Sequence, residues 1–177
     1  MTDKFDCTSD VKQHVSRVKA HIDNFIYLLN GRAANHDKSK LEDPVEKAMF
    51  DYWTPELRTR VFGSDEYKSA LDGMGEGVRL HYKANRHHPE HYENGVNDMT
   101  LIDVMEMLAD WMAAAERAGK PVDLDHAAER FGLSVQVVKI MANQLREEDL
   151  WNAINGHATM FCPPNYQQGH IEGFEGD

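Results

Sequence analysis

Apolar positions along the chain recur at three- and four-residue intervals, and that spacing predicts helices almost throughout. Val15, Val18, Ile22, Phe25, Ile26 and Leu29 form the first stripe. Thr8, Ser9 and Asp10 can cap a helix beginning near Val11, and Asn30-Gly31 reads as its stop. A second segment from near Arg32 carries Ala33, Ala34, His36 and Asp37. Asp43-Pro44 opens a third with proline at the first helical position, and Thr54-Pro55-Glu56 repeats that grammar for a fourth. Gly63-Ser64-Asp65 starts a helix in which Leu71, Met74, Val78 and His81 share one line. Gly73, Gly75 and Gly77 loosen it, each by about 1 kcal/mol relative to alanine. Residues 85–98 are polar, with proline and glycine, and read as a loop. Thr100 and Asp103 make a capping-box start for a long helix ended by Gly119 and Pro121. Asp123 caps a short helix to Phe131-Gly132, and Ser134 opens the last one.

No alternating run of β-branched residues signals a strand. The pattern therefore predicts an all-α bundle of about seven helices in a single domain over residues 1–155. A helical hairpin is expected over 123–151, and an extended or disordered tail over 156–177, which is rich in Gly, Pro, Asn and Gln. A chain of 177 residues with 41% apolar side chains can bury a core without a covalent staple. Cys7 and Cys162 lie near opposite ends, which is no disulfide framework and no zinc-ribbon spacing, and suits a reducing compartment. The first ten residues lack the apolar run of a signal peptide, and no stretch reaches the ~18 apolar residues of a membrane span. A cytoplasmic protein with no membrane association is the expectation.

The formal charge is −11, the wrong sign for a general binder of phosphate backbones. Nucleic-acid polymers are therefore not expected partners. Residues 123–151 resemble a helix-turn-helix in outline, with Gly132-Leu133-Ser134 as the turn. Lys139 and Arg146 face Glu147, Glu148 and Asp149 along the second helix, so packing as a hairpin against the core is the expected role. An acidic protein can still handle a small anion where a metal ion supplies local positive charge.

Ten histidines stand out in the composition. His36-Asp37 is an adjacent pair followed by Ser39-Lys40. His14 and His21 sit seven residues apart on one face of the first helix, while His81, His87 and His88 come later. Asp110 lies on the 101–118 helix, opposite a stripe of Leu101, Met105, Leu108 and Met112 that is expected to face the core, with Asp103 and Glu106 nearby. Neutral imidazole and ionised carboxylate are ligands for Zn, Mn, Fe, Co or Ni, and a mixed set does not select among them. Each of these residues also has a plainer reading. His81 continues an apolar line and could be a hydrogen-bonded core histidine, His87 and His88 could be exposed loop residues, and Asp110 could belong to an acidic solvent face.

Three stretches taken in order resemble the HD superfamily of metal-dependent phosphohydrolases. HVSRVKA is similar to its opening HxxxV helix, HDKSK to its HDxxK centre, and MTLIDVMEMLADW to the helix ending in its last metal-binding aspartate. HHPEHYENG resembles the HHExxxxG loop of the two-metal branch. The whole chain is also similar to short bacterial and phage proteins carrying HDxSK and an HxxxNxHHxE block, here His81, Asn85, His87, His88 and Glu90. The resemblance covers roughly residues 10–117. It implies a metal held by His14, His36, Asp37 and Asp110, with His21 a rival for the first place. It implies too that Lys40, His81, His87 and His88 serve substrate phosphate or a second metal. One or two divalent transition-metal ions are implied as cofactor, with a nucleotide or related small phosphate ester as substrate. Two alternatives stay open, a di-iron oxygenase and a nucleotide-binding protein without catalysis.

Overall fold

The computed structural model describes residues 6–60, 64–157 and 160–163. Seven α-helical segments run along the described residues, and no strand occurs among them. They are α1 (Thr8–Asn35), α2 (Ser39–Glu42), α3 (Pro44–Arg58), α4 (Asp65–Ala84), α5 (Leu101–Ala118), α6 (Leu124–Phe131) and α7 (Val135–Ile154). The expected loop after α4 contains two short 3₁₀ turns, Pro89–His91 and Gly95–Asp98. No helix among the described residues is long and apolar enough to cross a membrane.

Most helix starts fall where the capping residues put them. Asp43, Ser64, Asp123 and Ser134 each accept a backbone N–H of the first turn, and Thr100 with Asp103 forms a reciprocal capping box. Gly119 and Gly132 end α5 and α6 in the left-handed conformation that glycine adopts without strain.

Two expected breaks are absent. Gly31 lies inside α1, which continues to Asn35. A glycine costs a helix only about 1 kcal/mol, and Arg32, one residue on, is anchored by the buried Asp103. Pro55 likewise falls within α3; the Asp51 carbonyl loses its helical donor there, but Asp51 is exposed to water. Val61, Phe62 and Gly63, included in the expected elements, lie outside the described residues.

Helix α5 has two working faces. One carries Met107, Leu108 and Ala115 into a core shared with Val122, Leu124, Val138, Met141, Ala142 and Leu145, so α6 and α7 form a hairpin packed on α5. Leu101 and Met105, expected on that face, are exposed, and Val104 and Trp111 take part instead. Trp111 stacks on Phe131 of α6 with ring centroids 5.8 Å apart. The described part of the expected tail is anchored. The Asp149 carboxylate accepts the backbone N–H groups of Met160, Phe161 and Cys162, and the last two side chains are buried in the core. Residues 164–177 lie outside the described residues.

The other side of the molecule is the α3–α4 pair. A Cβ added at Gly77 would stand 2.6 Å from the Met49 Cβ, and one at Gly73 would stand 2.6 Å from the Trp53 ring. The glycines so expected to loosen α4 are what let it approach α3. The helix is indeed non-helical at Gly75 (φ 18°, ψ −82°). Gly77 is one turn before His81, so this approach also sets the distance between His81 and α3.

Gly77→Ala is expected to destabilise by a net of about 1–2 kcal/mol, overpacking outweighing the gain in helix propensity. Gly31→Ala meets nothing within 4 Å and is expected to stabilise by up to about 1 kcal/mol. Urea denaturation followed by circular dichroism checks both signs.

Candidate metal centre

Helix α1 ends at Asn35, and His36 leaves it with extended backbone. Asp37 then turns with φ 55°, the one left-handed non-glycine residue described. Aspartate tolerates this region better than most residues. The His-Asp pair, expected within a helix, therefore sits in the break between α1 and α2. That break frees both side chains from the ~100° offset that neighbours on a helix must keep.

Four histidines and two aspartates meet there. Asp37 Oδ1 lies 3.4 Å from His81 Nε2 and 3.6 Å from His87 Nε2, while its Oδ2 lies 3.8 Å from His36 Nε2. His36 Nε2 is 3.4 Å from Asp110 Oδ1, and His81 Nε2 is 2.8 Å from His88 Nε2. Two overlapping donor sets result, Asp37 with His81, His87 and His88, and His36 with His87 and Asp110; within each, the ligand atoms lie within 4.8 Å of one another. His81 and His87 form a buried back wall. His36, Asp37, Asp110 and Lys40 are only partly buried and make an accessible front. Lys40 Nζ donates to Asp37 Oδ2 at 2.6 Å and lies over the Phe50 ring.

Two buried glutamates aim the rings. Glu46 of α3 is fully buried, and its Oε1 accepts from Ser39 Oγ at 2.9 Å and from His81 Nδ1 at 2.8 Å. The Asn85 amide spends its two hydrogens on Ser39 Oγ and the His81 carbonyl. With Nδ1–H committed to Glu46, His81 turns the lone pair of Nε2 toward His88 and Asp37. Glu106 of α5 orients His36 on the opposite side, accepting from its Nδ1 at 3.1 Å and lying 3.3 Å from His87 Nδ1. Glu46 belongs to no ligand motif in the sequence, and Glu106 stands there only as a neighbour of Asp110. An acid on the inward face of an amphipathic helix is the signal each of them left.

Some polar groups here are left unsatisfied. Asp37 Oδ1 and both ring nitrogens of His87 are buried without a hydrogen-bond partner. Desolvated acceptors left unpaired cost about 1–3 kcal/mol each. A divalent cation uses such atoms as ligands, and the imidazole–carboxylate chemistry of the set fits one.

The first helix is where expectation and structure part. His14 and His21 lie on a wholly exposed stretch of α1. At about 1.5 Å per residue, His14 is about 30 Å and His21 about 20 Å along the helix from His36. Neither reaches the cluster, because the helix runs through Gly31 instead of folding back there. Lys40, His81, His87, His88, His36, Asp37 and Asp110 are all brought together. Glu90 of the loop sits outside the cluster, where it accepts from Arg130 of α6 at 2.7 Å and so ties the loop to the hairpin.

Charge divides the histidines. The Asp110 carboxylate raises the His36 pKa to about 9 against the opposing effect of burial, with Glu106 and Asp37 adding to the rise. Burial, then the neighbouring His87 and His81, lowers His88 to about 3. Burial also lowers His81 and His87, helped by Lys40 and His36 respectively. Burial pushes Asp37 and Asp110 up, but Lys40 and His36 outweigh it and both carboxylates are lowered.

These shifts set a pH dependence for the metal-free protein. On the acid side of the ordinary value of 6.5, the unfolded chain binds protons that folded His81, His87 and His88 refuse, so stability is lost as pH falls. Between 6.5 and about 9 the folded state holds the extra proton on His36, and that contribution is lost as pH rises. Thermal denaturation with chelator present is expected to show the highest Tm near pH 6.5. His36→Gln is expected to flatten the alkaline limb and leave the acid limb in place. A flat alkaline limb in the unaltered protein would show that His36 is not held protonated.

No curated protein and no solved structure matches this chain. Residues 3–152 match the family model described as a family of unknown function, DUF5662, and the chain belongs to that family.

Proposed function

We propose that the cluster holds one or two divalent transition-metal ions, drawn from Mn, Co, Ni, Zn and Fe, and hydrolyses a phosphate ester of a nucleotide or related small metabolite. The observation that carries the metal reading is the convergence of four imidazoles and two carboxylates in which Asp37 Oδ1 and His87 lack partners. Asp37, His81, His87 and His88 would hold one ion, and His36, His87 and Asp110 are the second group of donors that could hold one. A bound ion supplies a water of lowered pKa and a Lewis acid for a phosphoryl oxygen.

The protein's own groups do the rest. Glu46 holds His81 in the tautomer that presents a lone pair inward, and Glu106 orients His36, whose extra proton a bound metal would displace. Lys40, at the accessible front, offers its ammonium to an anionic substrate oxygen. Hydrolysis is favoured over other metal chemistry by the likeness of HDKSK and the LAD-ending helix to HD phosphohydrolases. The absence of His14 from the cluster removes one of that likeness's ligands, and His81, His87 and His88 supply donors in its place. The number of histidines also favours a second reading, a di-iron oxygenase, in which the same residues would ligate iron.

Elemental analysis of protein purified without chelator or affinity tag is expected to find about one or two transition-metal ions per chain. Asp37→Asn, which keeps a side chain tolerant of the left-handed turn, is expected to lose them, and His14→Ala to keep them. Glu46→Gln is expected to weaken metal affinity about 10–100-fold. Loaded protein is then assayed on nucleotides and small phosphate esters with each metal in turn. Protein that neither retains nor takes up metal overturns the whole reading. Two irons with oxygen-dependent spectra and no hydrolysis select the oxygenase.

A further inference from the structure

Every residue of α1 from Thr8 to Leu28 is exposed. At about 1.5 Å per residue, this is about 30 Å of helix standing clear of the other described residues. Its apolar side chains are nonetheless ordered. Val11, Val15, Val18, Ile22, Phe25 and Leu29 alternate steps of four and three residues, the 3.5-residue repeat of a coiled-coil seam. The first five are 41 to 58% exposed, and Ile26 and Leu28 widen the seam toward the domain. Ser9, Ser16, Asn24 and Gln13 occupy the outer positions. Helices in proteins take most of their stability from packing an amphipathic face, and a contiguous exposed apolar strip marks a surface for interaction.

We propose that the seam is an interface between two copies of this chain, joined α1 to α1. Such a repeat fits another helix with the same repeat, and the other described helices of this chain bury their apolar faces within the domain or lack the pattern. The longest stretch outside the described residues, 164–177, contains three glycines and no heptad of apolar residues. Charge permits the pairing of like chains here and opposes it elsewhere. Residues 8–28 carry three basic residues against two acidic ones, while the chain as a whole carries −11. Closing six layers of seam from both sides approaches the ~800 Å² per partner of a standard interface, and a two-fold dimer is the commonest way to close it.

Sedimentation velocity on the full chain decides the matter, with 20.2 kDa expected for a monomer. Wild type is expected at twice that mass down to low micromolar concentration. Val18→Glu with Ile22→Glu is expected to give monomer with the helical circular dichroism of the domain retained. Val15→Lys alone, a milder change, is expected to raise the dissociation constant at least about tenfold. Tyr27→Glu, on the outer face of the same helix and 74% exposed, is expected to leave the dimer intact. A wild type that is monomeric at all concentrations overturns the proposal, as does a dimer indifferent to the seam substitutions or equally sensitive to Tyr27→Glu.

Discussion

The Glu106 carboxylate is the joint at which this molecule is assembled. It is nearly fully buried, and it receives His36 from the end of α1, lies against His87 from the loop, and stands 3.5 Å from the Arg32 guanidinium. Two parts of the chain far apart in sequence, the end of α1 and the loop after α4, are thereby held to one turn of α5. A carboxylate carried into a protein interior is costly unless charge and hydrogen bonds are brought with it. The need to compensate Glu106 therefore specifies where α1 must end and which way the loop must face. Asp103, one turn earlier, repeats the constraint with Arg32, Arg86 and the Thr100 cap.

The same economy of buried charge explains the layering of the cluster. Glu46 and Glu106 sit behind the imidazoles, Asp37 and Asp110 in front, and Lys40 at the accessible edge. The carboxylates behind bind Nδ1 atoms and leave Nε2 atoms facing inward. The inward-facing side of the cluster is rich in lone pairs, apart from the proton that Asp110 stabilises on His36. Packing of α6 and α7 on the opposite face of α5 keeps this helix in place, and the Arg130–Glu90 bridge extends the brace to the loop that carries His87 and His88.

Local chemistry made much of the fold legible. Asp43, Ser64, Thr100, Asp123 and Ser134 announce helix starts because a capping side chain acts on N–H groups two or three residues away. The hairpin was legible for a similar reason, since Gly132 and Ser134 are a stop and a start in immediate succession. The continuation of α1 through Gly31 and of α3 through Pro55 was not. A breaker's cost of one to a few kcal/mol (about 1 for glycine and about 3 for proline) is decided by contacts made elsewhere, such as Arg32 with Asp103.

The sequence by itself determined the helical class, most of the caps, and the residue types from which a metal site could be made, including His36, Asp37, His81, His87, His88 and Asp110. Tertiary structure alone decided which of them meet. His14 has the right chemistry and a plausible spacing, yet a rigid rise of about 1.5 Å per residue carries it away from the cluster once the helix does not break. Glu46 carries no motif at all, yet the close approach permitted by Gly77 places it against His81. Spacing along a chain constrains distance only within one rigid element, and between elements distance is set by how their buried faces pack.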